Sequence, residues 1–121
     1  MPDTIVTDFQ SDAYTAPIPS GSTSSSVLLN NSELDKAGAL TVYVPDLTGT
    51  GVDVQVMATS GSGWVDLYDE VGSQVTIAKQ TARNFNGVGC YAYQFVSSGA
   101  EGADRDIIVI GAFQVSLRGL A

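Results

Sequence analysis

From residue 26 onward the chain repeatedly alternates apolar and polar residues, and this pattern constrains its fold more than any other feature. In ALTVYVPD, Leu40, Val42 and Val44 fall on one side of a strand, opposite Thr41 and Tyr43. The segments GVDVQVMA, WVDLYD, QVTIAKQT and VGCYAYQFV follow the same pattern, SVLLN is a short apolar run, and turn signals such as TGTG, SGSG, EVGS and NFNG lie between them. Successive side chains of a strand point to opposite faces, so the pattern predicts half-buried strands. We therefore predict an all-β fold, an antiparallel β-sandwich or jelly roll of seven to eight short strands.

Three segments stand apart from this pattern. Residues 1–25 show no sustained period and contain prolines and a Ser/Thr/Gly run, which predicts an extended N-terminal arm, with a disordered tail as the alternative that composition alone supports. The chain is then divided into an arm, residues 1–25, and a β-sandwich domain, residues 26–121. The segment NSELDKAGAL (31–40) predicts a helix of at most two turns, with Ser32 as its N-cap and Gly38 as its stop. The segment DIIVIGAFQVSLRG predicts one bent strand, or two strands hinged at Gly111.

The charge balance excludes several classes of partner. The chain carries 13 acidic and 5 basic residues, a formal net charge of −8, and the basic residues are scattered. Binding to nucleic acid or to an anionic membrane requires clustered Lys and Arg. The longest apolar run, IIVIGAF, is far shorter than the ~20 residues of a membrane span, and the acidic start MPDTIVTDFQ lacks a signal-peptide pattern. We expect neither nucleic acid nor membrane as a partner.

The residues for most kinds of catalysis are missing. The sequence has no histidine, which removes Ser-His-Asp and Cys-His arrangements and His-based zinc sites. Cys90 lies mid-strand with no charged residue within four positions, so we interpret it as a packed side chain in a protein made in a reducing compartment. Asp66, Asp69 and Glu70 form the densest acidic group and could serve a small glycoside hydrolase, but they flank a probable turn. We expect no enzyme and no cofactor.

Acidic loops raise the question of calcium. The segment EGADRD places Glu101, Asp104 and Asp106 in one loop, and carboxylate oxygens are the ligands that Ca²⁺ prefers. The spacing does not match the twelve-residue calcium loop, and Arg105 offsets part of the charge. These residues are weak candidates, and no metal site is predicted.

Aromatic and apolar residues suggest two kinds of contact surface. Trp64, Asp66 and Tyr68 share one strand face by alternation, a combination that fits sugar binding or a protein contact, unless Trp64 packs in the core. Charged residues make up only 15% of the chain, against ~25% in typical soluble domains. A second strand face with few charges tolerates burial against a partner. In the arm, the residues whose chemistry suits protein contact are Ile5, Phe9, Tyr14, Pro17, Ile18 and Pro19.

The combination of a Pro- and Ser-containing leader with a small acidic β-sandwich ending in AFQVSLRGLA resembles the decoration (cement) proteins of tailed bacteriophage capsids. The resemblance covers the whole length and rests on size, pattern and composition. It implies a structural virion protein made in the bacterial cytoplasm. This protein would bind the outside of the capsid as a dimer or trimer and stabilise it by bridging neighbouring major capsid protein subunits. The alternative is a carbohydrate-binding β-sandwich module, on a virion or a cell surface, that uses Trp64, Asp66 and Tyr68.

Overall fold

The computed structural model describes the backbone of residues 5–30 and 39–118 and the side chains of residues 13–30 and 39–111. The described residues form nine antiparallel strands in two sheets and contain no helix, so none that is long and apolar enough to cross a membrane. The all-β sandwich is confirmed. The strands are β1 (Ile5–Ile18), β2 (Leu28–Leu29), β3 (Ala39–Val44), β4 (Gly51–Met57), β5 (Trp64–Asp66), β6 (Thr76–Ala78), β7 (Thr81–Asn86), β8 (Ala92–Ser97) and β9 (Arg105–Arg118).

The first sheet has four strands in the order β1-β9-β3-β7. β1 and β9 pair along all fourteen residues of each strand, from Ile18 opposite Arg105 to Ile5 opposite Arg118. β3 covers the other side of β9 only as far as Ala112. Beyond that point β9 pairs with β1 alone among the described strands. We call this two-stranded extension, residues 5–10 paired with residues 113–118, the ribbon.

The second sheet has the order β2-β8-β4-β5, and β6 also pairs with β4. β5 and β6 pair with different ends of β4, and the chain between them leaves the sheet edge. We call this excursion the 67–75 hairpin. At the base of the hairpin, the carbonyl of Val54 accepts a hydrogen bond from the amide of Leu67 at 2.9 Å. The amide of Val54 donates to the carbonyl of Val75 at 3.0 Å. At its tip, Gly72 has a φ of 83°, a backbone conformation that glycine adopts without a Cβ clash.

The core lies between the two sheets and is built by the alternation seen in the sequence. Every second residue of β3 is buried, and so are Val52 and Val54 of β4, whereas in β8 the four consecutive residues from position 92 to position 95 are all buried. Tyr93 is fully buried, and its hydroxyl is paired with the backbone of Val88, which removes the penalty of an unpaired polar group. The largest fully buried apolar side chains are Tyr93, Phe95, Ile18, Leu40, Ile77 and Ile107.

Residues 13–25 are integrated into this sandwich, which differs from the expectation of a separate arm over residues 1–25. Ala16 and Ile18 are 0% exposed and belong to the core. The following segment crosses to the second sheet, where the Ser25 amide donates to the carbonyl of Phe95 at 2.8 Å. The physical reason is strand pairing with β9, which lies almost ninety residues further along the chain and leaves no local signal.

Three further expectations can be compared with the structure. The predicted helix falls on residues 31–38, which lie outside the described residues, and Ala39 and Leu40 begin β3. The long C-terminal segment forms one strand, β9, rather than two strands hinged at Gly111. The segment NFNG, interpreted as a turn, contributes its first three residues to β7.

Candidate functional site

The outer face of the five-stranded sheet carries one apolar row and one polar row. By register, Leu29, Ala92, Met57 and Trp64 lie side by side across four strands. Such cross-strand neighbours share a face, because directly paired residues point the same way. The indole-bearing Trp64 is half-buried at the end of this row.

The adjacent polar row is connected by hydrogen bonds. The side-chain amide of Gln94 donates to Oε1 of Gln55 at 2.7 Å, and Nε2 of Gln55 donates to Oδ1 of Asp66 at 3.1 Å. Gln94 is 8% exposed, so its pairing with Gln55 is required to satisfy a buried amide. Asp53 lies near this row, and the pKa of its carboxyl is raised. Partial burial is the larger cause, and repulsion from the Asp66 carboxylate is the smaller one. The hydrogen bonds of the row fix the side chains of Gln94, Gln55 and Asp66 relative to one another.

The three residues proposed as a sugar or protein contact are divided between two places. Trp64 and Asp66 lie within β5, on the face just described. Tyr68 lies beyond the end of β5, on the 67–75 hairpin, where it forms a single bridge with Gln74. Its side chain is among those that line a different feature, an open groove that includes neither Trp64 nor Asp66.

This groove lies between the 67–75 hairpin and β7 and has a volume of about 530 Å³. Arg83 joins its two walls: Nη1 donates to the Thr76 carbonyl at 3.0 Å, and Nη2 contacts Oδ2 of Asp69 at 3.4 Å. Nδ2 of Asn86 donates to Oε1 of Glu70 at 2.5 Å across the same gap. The groove is lined by Ala39, Leu67, Tyr68, Asp69, Glu70, Val75, Arg83, Asn84, Phe85, Asn86, Gly87 and Val88.

Asp69, one of the acids considered for hydrolysis, is occupied by structural contacts. Its Oδ1 accepts the amides of Val71 and Ser73 at 3.0 and 2.9 Å, which closes the turn of the hairpin. Its Oδ2 is the partner of Arg83. The geometry therefore makes Asp69 a turn former, as acidic residues at such positions commonly are.

The acidic loop considered for calcium contains a buried, fully paired carboxylate. Glu101 is 2% exposed, and its Oε1 accepts the Thr48 amide at 2.8 Å and Nε of Arg105 at 3.1 Å. Its Oε2 accepts the Ser97 hydroxyl at 2.7 Å and the Gly49 amide at 3.2 Å. Burial alone would raise the pKa of this carboxyl, but these donors outweigh burial and lower the pKa to about 2. Glu101 is thus a structural anion.

The other two members of that loop are placed elsewhere. Asp104 is exposed, and its Oδ1 accepts the Ser20 amide at 2.8 Å. Asp106 is exposed and lies opposite Pro17 in the β1–β9 ladder. Within the described residues, no group of three or more His, Cys, Asp or Glu side chains is arranged to hold a metal ion.

The candidate contact residues of the N-terminal segment occupy different environments. Ile5 and Phe9 belong to the ribbon, where the structure describes backbone alone. Tyr14 is half-buried and packs against the core, and Ile18 is a core residue with no exposed surface. Of the two prolines, Pro17 is half-buried and Pro19 is exposed.

Cys90 is half-buried and packs against the core. Burial raises the pKa of its thiol, which outweighs hydrogen bonding with Tyr93 and the Ala92 backbone. A raised pKa disfavours the reactive thiolate at neutral pH.

No protein-family model matches this sequence, and no curated protein matches it. Similar solved structures include the crystal structure of the SPBc2 prophage-derived protein YomS, with a TM-score of 0.54 and 15% sequence identity, covering 88% of this chain and 95% of YomS. A chain from Bacillus endospore appendages, described as disulfide-linked pili, has a TM-score of 0.47 and 11% identity, covering 95% of this chain and 92% of that chain. At this identity the likeness to YomS concerns the fold.

Sequence reasoning missed Arg83, Asn84 and Asn86 as parts of a site. These residues belong to β7, an edge strand whose residues are exposed or half-buried. Phe85 alone among the residues of this strand is identified as packing against the core, so the strand has no clear apolar alternation in the sequence. The available signal was Phe85, an apolar residue between two asparagines.

Proposed function

We propose that this protein is a non-enzymatic structural component of a phage-type particle. In this proposal it binds the outside of the capsid and stabilises it by bridging neighbouring major capsid protein subunits. Two observations support a phage-type origin. One is the resemblance of the sequence to capsid decoration proteins. The other is the fold shared with the prophage-derived YomS over nearly the full length of both chains.

The observation that carries the proposal is the ribbon. Among the described residues the ribbon consists of two paired strands alone. Such a pair is at best marginally stable in water, and strand edges present unpaired backbone groups. At roughly 3.3 Å per residue, six residue pairs extend about 20 Å beyond the part of β9 that β3 covers. A ribbon of this kind gains stability when a partner surface covers it or adds a strand to it.

The residue types in the ribbon suit a protein partner. Alternate positions of a strand share one face, so positions 113, 115 and 117 continue the series of Ile107 and Val109. These three positions hold Phe113, Val115 and Leu117. The series Ile107 and Val109 is fully buried within the sandwich. Apolar residue types at alternate positions of a strand favour contact with another protein surface.

The charge of the chain supports protein rather than nucleic acid or lipid as the partner. A net charge of −8 disfavours approach to phosphate-rich surfaces. Exposed Tyr43 and half-buried Thr41 and Met57 on the outer sheet faces provide further uncharged surface. We expect copies to meet through such surfaces as a dimer or trimer on the capsid exterior.

The test measures cosedimentation with capsids of the source phage that lack this protein. A variant carrying Phe113→Asp and Val115→Asp should bind the capsids at least tenfold more weakly, a loss of about 1.4 kcal/mol or more. Val71→Asp is the matched control: it adds a carboxylate at an 85% exposed position on the 67–75 hairpin and should bind like the wild type. Circular dichroism verifies that both variants are folded. Equal binding by the ribbon variant, or no sedimentation of the wild type with capsids, would contradict the proposal.

A further inference from the structure

We propose that the groove between the 67–75 hairpin and β7 is a binding site for a neutral saccharide. This inference concerns a surface separate from the ribbon and does not depend on attachment to a capsid. It rests on three properties of the groove: a fixed shape, a set of unpaired polar atoms and two aromatic side chains.

The groove has a fixed shape because its walls are connected. Arg83 of β7 bonds to Asp69 of the opposite wall and to the carbonyl of Thr76, the first residue of β6, and Asn86 bonds to Glu70 near the tip of the hairpin. A volume of about 530 Å³ lies within the ~300–1,000 Å³ of small-molecule sites. A site whose walls are already connected loses little conformational freedom when a ligand binds.

The polar atoms of the groove retain unused hydrogen-bonding capacity. Asn84 accepts the Thr41 hydroxyl through Oδ1, which leaves the two N–H groups of its Nδ2 without a partner among the described residues. Likewise, the second oxygen of Glu70, Oδ1 of Asn86 and the hydroxyl of Tyr68 have no bonding partner in the described part of the chain. Donors and acceptors are therefore mixed, as a ligand with many hydroxyl groups requires.

The apolar part of the exposed lining includes two aromatic side chains. Tyr68 is 57% exposed, and Phe85 is half-buried on the β7 side. Flat rings next to hydrogen-bonding groups suit a sugar, which has both C–H faces and hydroxyl edges. Gly87, which has no side chain, also lines the groove.

The charge of the groove disfavours an anionic ligand. Asp69 and Glu70 contribute two negative charges and Arg83 one positive charge, so these three residues sum to −1. Arg83 is already bonded to Asp69 and to a backbone carbonyl. An anionic ligand such as a phosphate or a sialylated glycan would face the unpaired oxygen of Glu70 without a cation to balance it.

The test titrates isotope-labelled full-length protein with neutral oligosaccharides ending in glucose, galactose, mannose or N-acetylglucosamine, and follows amide chemical shifts by NMR. We expect saturable shifts at residues 68–70 and 83–87 for at least one sugar at up to about 10 mM ligand, where weak complexes are populated. Tyr68→Ala and Glu70→Ala should each weaken binding at least tenfold. Tyr43→Ala removes a comparably exposed ring outside the groove and should bind sugar like the wild type.

Three outcomes would overturn the inference: no saturable shifts with any of these sugars, shifts centred on Trp64 instead of the groove, or full binding by both groove variants. Tighter binding of a sialylated glycan through the groove would overturn its assignment to neutral ligands. Capsid cosedimentation of Tyr68→Ala separates the two proposals, because this variant should bind capsids normally while losing the sugar.

Discussion

Nε of Arg105 donates to Oε1 of Glu101 at 3.1 Å, and this ion pair connects the start of β9 to a buried carboxylate. The same carboxylate receives the amides of Thr48 and Gly49, which belong to the loop between β3 and β4. One side chain thus fixes the β3–β4 loop, the β8–β9 loop and the first residue of β9. Four donors surround an almost inaccessible charge, the arrangement in which a buried carboxylate is stabilising.

Glu101 should give the protein an acid-sensitive stability. The pKa of this carboxyl is about 2 in the folded chain, against an ordinary value of 4.5. A lowered folded-state pKa contributes stability that is complete above the unfolded value and is lost as the pH falls from about 4.5 towards 2. We expect Glu101→Gln to lower the free energy of unfolding at pH 7 by about 2 kcal/mol.

Urea unfolding at pH 7, 4 and 3 measures this effect. The stability deficit of Glu101→Gln relative to the wild type should shrink as the pH falls. Asp106→Asn, at an exposed carboxylate in β9, is the control and should follow the wild-type profile. A deficit that stays constant across this pH range would show that the charge of Glu101 does not supply the stability.

Ile18 should be essential to the fold although it lies in the predicted arm. It is 0% exposed within the core, so Ile18→Ala should lower the free energy of unfolding by about 2–5 kcal/mol through lost apolar contacts and a cavity. Deleting residues 1–25 should prevent folding, whereas deleting residues 1–10 should leave the sandwich folded. Circular dichroism and thermal unfolding distinguish these cases. A folded protein lacking residues 1–25 would be inconsistent with β1 as part of the core sheet.

Asp66 should control the ionisation of Asp53. Repulsion from Asp66 is the second cause, after partial burial, of the raised pKa of Asp53. Asp66→Asn removes the charge and can still accept the hydrogen bond from Gln55, so the pKa of Asp53 should fall towards its ordinary value. NMR titration of the Asp53 carboxyl carbon measures the change. Asp46→Asn is the control, because Asp46 is not a cause of this shift, and it should leave the pKa of Asp53 unchanged. An unchanged Asp53 pKa in Asp66→Asn would refute the coupling.

Gly51 should not tolerate a side chain. A Cβ at this position would lie 2.6 Å from the carbonyl oxygen of Ile77 in β6, and a backbone atom within a sheet cannot move aside easily. We expect Gly51→Ala to lower the free energy of unfolding by about 1–3 kcal/mol, as overpacking does. Gly89→Ala, where a Cβ would meet nothing within 4 Å, should change stability little. Thermal unfolding of both variants compares them directly, and equal stabilities would contradict the close approach.

The sequence predicted the central strands well because burial there has a period of two. Val42, Val54 and Phe95 are buried as the alternation requires, while Gln55 and Gln94 lie on the opposite face. Gln94 is nonetheless only 8% exposed, and its side-chain amide is paired with Gln55. Alternation specifies which face a residue occupies but not what covers that face.

The edge strands could not be predicted, for two physical reasons. β7 has no buried residues, so its sequence TARNFN carries no apolar period. β1 is positioned by β9, and a local pattern cannot reveal a partner so distant in the chain. The candidate groove lies between edge strand β7 and the 67–75 hairpin. The sequence pattern indicated candidate residues only on the hairpin, namely Tyr68, Asp69 and Glu70, because β7 carries no apolar period.

The pairing of Ile5 with Arg118 has a practical consequence for engineering. These two residues lie side by side at the distal end of β1 and β9. A short peptide joining position 5 to position 118 would therefore close the backbone between them into a ring without spanning the sandwich. New chain ends could then be opened in the exposed turn at residues 61–63. In such a circular permutant, a fused polypeptide would be attached next to the second sheet instead of at the ribbon.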